Sequence, residues 1–118
     1  MKVLVGVDES ENAVRALDWA LDRAAAAGDE VAVVVVEDGE EAIEEEVRER
    51  IASVNREVDV RTVGAAEAGS TLVGIAEREA FDEVVLGGGE RSPMGKIRLG
   101  DMREFVILNA DVTVTLVR

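Results

Sequence analysis

Apolar residues occur in two kinds of segment, short valine-rich runs and longer stretches with apolar residues three and four positions apart. The runs predict five strands, at 2–7, 31–36, 58–63, 84–86 and 112–117. The spaced stretches predict four helices, at about 13–27, 40–54, 69–80 and 101–109. Strands and helices therefore alternate as βαβαβαβαβ. Because crossovers between parallel strands are right-handed, this alternation predicts an α/β fold with helices on both faces of a parallel sheet.

The apolar pattern of each strand predicts its place in the sheet. The second strand, Val31 to Val36, is an unbroken apolar run, typical of a strand buried on both faces. The third and fifth strands alternate apolar with polar residues, so we expect them at the edges. The predicted order is 3-2-1-4-5, a three-layer α/β/α open sheet in one domain, residues 1–118. The order reverses between strands one and four, so a ligand crevice is expected at their carboxyl ends, near Asp8 and Gly87.

The two predicted edge strands differ in charge. The third strand carries Asp59 and Arg61, which discourage pairing with another chain, whereas the strand 112–117 contains neither a charged residue nor proline. An edge strand without such protection must be covered, because its unpaired N–H and C=O groups can pair with another chain. We expect a homodimer joined by antiparallel pairing of strand 112–117, and the alternative is an edge shielded by one of the chain's own helices.

The net charge restricts the partners. The 118 residues include 26 acidic and 13 basic side chains, a formal charge of −13. This excess repels phosphate backbones and anionic lipid, so neither nucleic acid nor a membrane surface is an expected partner. No apolar run is long enough to span a bilayer and Met1-Lys2 leads directly into a strand, so we expect a cytoplasmic protein. The many carboxylates and the preference for arginine over lysine resemble proteins adapted to high salt.

The missing residue types exclude most catalytic chemistry. The chain has no Cys, His or Tyr, which removes disulfides, thiol catalysis, Cys-type zinc sites and the commonest general base. Carboxylates are the main remaining acid-base groups, and they are too numerous for one to stand out. We therefore expect no enzyme activity, no catalytic residue and no dedicated metal site. Asp8 alone is a candidate oxygen ligand for Mg²⁺ beside a triphosphate.

A glycine-rich loop, 87–101, lies between the fourth strand and the last helix. Backbone N–H groups and the helix dipole at such a place bind anions. From Arg91 to Gly100 the loop carries three cations and no acid, although the chain has twice as many acids as bases. We interpret this local reversal of charge as an anion site. The alternative is a surface loop whose cations pair with neighbouring carboxylates.

Five segments, in this order, resemble the universal stress protein family. They are Val5-Gly-Val-Asp8-Glu-Ser10, Ala16-Leu17-Asp-Trp19-Ala, the valine-rich second strand, Leu86-Gly87-Gly88-Gly89 and Leu108-Asn-Ala-Asp111-Val-Thr-Val. The resemblance covers the whole chain. It implies an adenine nucleotide alpha hydrolase-like α/β fold with the strand order given above and dimers formed through the last strand. It also implies that the chain is either a member that binds ATP or a member that does not.

The ATP-binding members of that family have a loop of Gly, two residues, Gly, nine residues, Gly, and then Ser or Thr. On this sequence the four positions are Gly87, Glu90, Gly100 and Asp101, so the spacing is kept while two positions are acidic. We expect the Asp101 carboxylate, at a helix N-terminus, to repel a phosphate a few Å away. At an effective dielectric of about 20 the cost is on the order of 4 kcal/mol.

The resemblance also implies the residues of the nucleotide site. Asp8 and Val36 belong to the adenosine half, although a helix cap and a core position are the simpler interpretations of the two. Implied for the loop side are Gly87, Gly88, Glu90, Arg91, Ser92, Lys96, Gly100 and Asp101. Of these, Arg91 and Lys96, together with Arg98, are candidates to contact the phosphates, and Ser92 is a candidate to supply the missing hydroxyl.

Two functions follow from this interpretation. The first is a homodimeric regulatory module that binds ATP, with or without Mg²⁺, and has no catalytic role. The second is a dimer of the same fold that has lost ATP binding through Glu90 and Asp101 and acts through protein contacts only. Loop spacing and local positive charge favour the first.

Overall fold

The elements of the fold alternate as the apolar pattern predicts. The structure is a computed structural model that describes residues 1–10, 12–37, 42–91 and 97–118, with the backbone alone at 42, 90, 91, 97 and 98. The strands are β1 (Lys2–Val7), β2 (Glu30–Glu37), β3 (Asp59–Gly64), β4 (Glu83–Gly87), β5 (Glu90–Arg91), β6 (Ile97–Arg98) and β7 (Thr113–Val117). The helices are α1 (Ala13–Ala27), α2 (Ala42–Ala52), α3 (Ala68–Arg78) and α4 (Gly100–Asn109), with a 3₁₀ turn at Ala65–Glu67.

Five of these strands form one parallel sheet in the order β3-β2-β1-β4-β7. Since β7 is the fifth strand of this sheet, the predicted order 3-2-1-4-5 is confirmed. Val5 of β1 pairs with Val33 of β2 on one side and with Val85 of β4 on the other. The order therefore reverses between β1 and β4, and the carboxyl ends of these two strands lie side by side.

The sheet is covered by a hydrophobic core on each face. On one face α1 and α2 contribute Leu17, Leu21 and Val47, which pack on Val3, Val5, Val7, Val33 and Val35. On the other face α3 and α4 contribute Leu72, Ile75 and Val106, which pack on Leu4, Ala32, Val34, Val84 and Leu86. Successive residues of β2 thus enter opposite cores, which explains why this strand is apolar without alternation.

The last helix differs from its prediction. The apolar pattern of this helix predicts a buried face of Met102, Phe105, Val106 and Leu108, but Phe105 is 41% exposed and Leu108 is 81% exposed. The buried side chains of α4 are Arg103 and Val106, three residues apart. A short helix at the margin of the sheet buries only one narrow stripe, and here that stripe includes a charged residue.

The glycine-rich loop also contains a regular element that its composition did not predict. Strands β5 and β6 pair antiparallel, with Glu90 opposite Arg98 and Arg91 opposite Ile97. Residues 92–96, which include Ser92 and Lys96, lie outside the described residues. None of the helices in the described ranges has the length and hydropathy needed to cross a lipid bilayer.

Candidate functional site

A cavity of about 570 Å³ opens where the strand order reverses, at the carboxyl ends of the sheet strands. Its described lining is Asp8, Glu9, Ser10, Val36, Ala65, Ala68, Gly89, Leu99, Gly100, Met102 and Arg103. The lining residues come from the segment after β1, the end of β2, the turn after β3, and the residues around the start of α4. The crevice expected at this point of the sheet is therefore present, and Asp8, Val36 and Gly100 are in its wall.

The central polar contact of this cavity joins Asp8 to Arg103. Arg103 Nη1 donates to Asp8 Oδ2 at 2.9 Å, and Nη2 donates to Asp8 Oδ1 at 2.9 Å. Such a two-bond pairing of guanidinium and carboxylate is both strong and directional. Although it is charged, Arg103 is only 5% exposed, and the side chain of its partner Asp8 is 21% exposed at the cavity.

The remaining N–H groups of Arg103 bind the elements around it. Nε donates to the carbonyl of Gly87 at 2.5 Å, Nη1 to the carbonyl of Leu99 at 3.4 Å, and Nη2 to the hydroxyl of Ser10 at 2.5 Å. With the two bonds to Asp8, all five donors of the guanidinium are used. Arg103 thus links the ends of β1 and β4 to the start of α4.

Asp8 is held by the turn that follows β1 as well as by Arg103. Its Oδ1 accepts bonds from the amide of Ser10 at 3.1 Å and from the hydroxyl of Ser10 at 2.6 Å. Burial raises the pKa of Asp8, but the hydrogen bonds and charge of Arg103 and the bonds from Ser10 outweigh burial and lower the pKa below the ordinary value of an aspartate. Asp8 is therefore a carboxylate anion at neutral pH.

The interpretation of Asp8 as a helix cap is wrong. Helix α1 begins at Ala13 after Asn12, and no side chain caps it there. Asn12 instead donates its side-chain amide to the carbonyl of Gly89 at 3.0 Å. The chain turns at Ser10 before the helix starts, so the Asp8 carboxylate faces the turn and Arg103 and not the helix N-terminus.

Glycine is required at three positions of the loop for different structural reasons. A Cβ on Gly87 would lie 2.8 Å from backbone atoms of Asn12 and Ala13, so this glycine allows α1 to start against the end of β4. A Cβ on Gly88 would lie 2.6 Å from the side chain of Arg118. Gly100 has φ +79° with open space around it, so the left-handed backbone is what requires glycine. Of these three, only Gly100 lines the cavity.

Asp101 lies on another side of α4 than the sequence suggested. It lines a smaller groove of about 190 Å³, together with Glu67 and Phe105, and is not in the wall of the main cavity. Leu99 and Arg103 are four positions apart and share one helix face, whereas a residue two positions after Leu99 lies on a different face. This groove shares Ala65 and Met102 with the main cavity, so Asp101 lies in an adjoining groove, and its repulsion of a bound phosphate stays a prediction.

The loop residues assigned from the resemblance stay predictions. Glu90 and Arg91 are described by their backbone in β5, as is Arg98 in β6, and Ser92 and Lys96 are outside the described residues. Arg103, in contrast, lines the cavity although the sequence pattern did not predict it as a site residue. Its spacing from Leu99 and Val106 was the available signal, but an arginine on a predicted amphipathic helix usually faces solvent.

The pairing of Asp8 predicts a specific loss of stability in acid. Because its pKa is lower in the folded chain than in the unfolded chain, Asp8 stabilises the fold above about pH 4, and this contribution disappears as the pH falls through the folded-state pKa. Urea unfolding measured from neutral pH down to pH values below 4 should show a shallower decline for Asp8→Asn than for the parent chain. Asp22→Asn, at an exposed position of α1, should decline like the parent. Equal slopes for all three chains would contradict the assigned role.

Comparison with known proteins gives results in agreement with the fold. Residues 1–46 match the family model described as the universal stress protein family. The structure is similar to that of a universal stress protein in complex with cAMP, with a TM-score of 0.77 and 27% identity over 100% of this chain and 96% of that chain. It is also similar to the structure of a universal stress protein from Archaeoglobus fulgidus, with a TM-score of 0.72 and 26% identity over 100% of this chain and 98% of that chain.

A further structure, of the universal stress protein from Archaeoglobus fulgidus in complex with dAMP, has a TM-score of 0.73. It is 23% identical over 100% of this chain and 98% of that chain, which supports the shared fold alone. No curated protein sequence matches the chain at a significant level. Together these findings support the universal stress protein family and show its α/β fold.

Proposed function

We propose that this chain is a universal stress protein that binds an adenine nucleotide in the cavity at the ends of β1 and β4. The observation that carries the proposal is the cavity itself, at the reversal point of a sheet whose order is β3-β2-β1-β4-β7. Ligands of open α/β sheets bind at this point. A protein of 27% identity with the same fold has cAMP bound, which supports an adenine nucleotide as the ligand.

The two kinds of lining residue suit the two halves of such a ligand. Val36, Ala65, Ala68 and Met102 offer small or apolar surfaces for a flat base, with the two alanines leaving room for it. The start of α4 at Gly100 presents backbone N–H groups and the positive end of the helix dipole, which favour a phosphate.

The proposed role is binding and regulation, and not catalysis. The titratable side chains in the described lining are Asp8, Glu9 and Arg103, and two of these neutralise each other. A carboxylate with a lowered pKa is a poor proton acceptor, so Asp8 is unsuited to general base catalysis at neutral pH. A nucleotide bound here would alter the surface that the loop and α4 present to other proteins.

A larger side chain in place of Ala65 should weaken nucleotide binding. Ala65 lines the cavity and is exposed, so a large side chain there occupies the proposed base position without disturbing the core. We expect Ala65→Trp to weaken the binding of AMP and cAMP in isothermal titration by at least about tenfold, equivalent to about 1.4 kcal/mol. Ala66→Trp, at the next exposed position and outside the cavity lining, should bind like the parent. Equal weakening by both variants, or by neither, would contradict the proposed site.

We also propose a homodimer formed through β7. In the described sheet β7 pairs with β4 along one edge, and its residues 113–117 carry no charge. Helix α4, which precedes β7, exposes three large apolar side chains, Phe105, Ile107 and Leu108. An uncharged strand edge favours pairing with a second copy of the chain, and exposed apolar side chains on the helix before that strand favour association as well.

A charge at position 108 should weaken this dimer. We expect sedimentation at micromolar concentration to give a dimer for the parent chain and a monomer, or a clearly weaker dimer, for Leu108→Asp. The control is Ala52→Asp, which adds the same charge at an exposed position of α2. A parent chain that sediments only as a monomer would contradict the proposed dimer. A dimer that binds no adenine nucleotide would instead favour the alternative function, in which the protein acts through protein contacts only.

A further inference from the structure

We propose that Arg103 determines the ligand class of the cavity by excluding Mg²⁺ from Asp8. The site then takes an adenine nucleotide with a single phosphate group and without a metal ion. This inference rests on the proposed function, since it specifies which adenine nucleotide binds in the same cavity.

The first step is that both oxygens of Asp8 are already bound within the chain. Oδ1 accepts three bonds, from Arg103 Nη2 and from the amide and hydroxyl of Ser10, and Oδ2 accepts one bond from Arg103 Nη1. Oδ1 is therefore saturated, and the positive guanidinium that binds Oδ2 repels a cation there. The residue that the sequence suggested as a magnesium ligand therefore does not fit that role.

The second step is that Arg103 cannot readily leave Asp8. Its five N–H groups all have acceptors, which come from Asp8, Ser10, Gly87 and Leu99, and its side chain is buried. Separating one partner of such a pair would leave a buried charge uncompensated, which is strongly unfavourable. A ligand would have to supply equivalent bonds to displace it.

The third step concerns the other described side chains of the cavity. Glu9 is the remaining carboxylate, and it is exposed at the cavity rim. Among the described residues no group of three or more acidic side chains is arranged to hold a metal ion. Mg²⁺ is usually held by one or two carboxylates together with phosphates, and with Asp8 paired to Arg103 the described lining leaves the solvent-exposed Glu9 as its one carboxylate for this role.

The charge balance favours a ligand with few negative charges. Asp8 and Arg103 cancel, which leaves the described lining with the charge of Glu9 and with no cation free to bind a phosphate. Without a metal, each further phosphate adds negative charge that the described lining residues do not neutralise. The helix dipole of α4 supplies only about half a positive charge, which suits one phosphate better than three.

Isothermal titration of the parent chain tests the inference directly. We expect the Kd for AMP to change by less than about twofold when EDTA is replaced by Mg²⁺, and ATP to bind at least about tenfold more weakly than AMP in both conditions. If Mg²⁺-ATP binds more tightly than AMP and only with the metal present, the inference is wrong while the proposed function stands. Absence of heat with AMP, cAMP and ATP would contradict the proposed function itself, and this inference with it.

A second measurement uses Mn²⁺ as a spectroscopic substitute for Mg²⁺. Arg103→Met removes the guanidinium and frees Asp8, so Mn²⁺ with ATP should give a protein-bound electron paramagnetic resonance signal that the parent chain lacks. The double variant Asp8→Asn, Arg103→Met keeps the neutral charge of the pair and should lose that signal again. A signal of equal strength in the parent chain would overturn the inference. If Arg103→Met does not fold, the titrations of the parent chain decide alone.

Discussion

Arg103→Ala should lower the free energy of unfolding by about 3–5 kcal/mol, the usual cost of removing one partner of a buried ion pair. The variant leaves the Asp8 carboxylate in a partly buried site without its counterion, and it also leaves the carbonyl of Gly87 without its donor. Urea unfolding followed by circular dichroism and by the fluorescence of Trp19, the single tryptophan, measures the loss.

Two further variants separate the ion pair from the loss of an arginine in general. Arg15→Ala removes an exposed arginine of α1 and should change the stability by less than about 0.5 kcal/mol. The double variant Asp8→Asn, Arg103→Met should recover most of the stability, since no buried charge is left unpaired. If Arg103→Ala costs no more than Arg15→Ala, the pair does not hold the ends of β1 and β4 to α4.

Leu72→Ala should destabilise the fold by about 2–5 kcal/mol, the range for truncating a fully buried leucine. Leu72 is a residue of α3, is 0% exposed and lies in the core between α3 and the sheet. Its Cδ1 lies 3.1 Å from the position that a Cβ on Gly6 would occupy, so α3 is packed closely on β1 and the cavity left by truncation cannot easily close.

The matched control for this truncation is Leu108→Ala. The same atoms are removed, but Leu108 is 81% exposed, so a change of less than about 0.5 kcal/mol is expected. The two variants are compared under conditions in which both chains have the same association state. A similar loss of unfolding free energy for both would contradict the assignment of Leu72 to the core. Leu108→Ala also tests the exposure of Leu108 on α4, a residue that the apolar pattern predicts on the buried side of the helix.

The sheet order could be predicted because it depends on burial, which is written in local sequence. An unbroken run such as Val31 to Val36 must be covered on both faces, and alternating segments such as 113–117 need only one covered face. The end of α1 is equally local, since Gly28 directly after the helix adopts the left-handed backbone, at φ 77°, that glycine favours. The place of the cavity follows from the strand order and was predicted with it.

The contents of the cavity could not be predicted in the same way. Asp8 and Arg103 are separated by 95 positions, and no local pattern indicates that the two side chains meet. Asp101 and Arg103 are two residues apart on one helix, and only the rotation of α4 against the sheet decides which of them enters the cavity.

By itself, then, the sequence determined which segments form the five-stranded sheet, their order and the end of the sheet where the cavity opens, because apolar periodicity and burial are properties of each segment. The tertiary structure alone decided that Arg103 pairs with the Asp8 carboxylate in the cavity wall and that Asp101 lines the adjoining groove. Such choices depend on distances between side chains from remote segments, and these distances exist only after the helices have packed on the sheet.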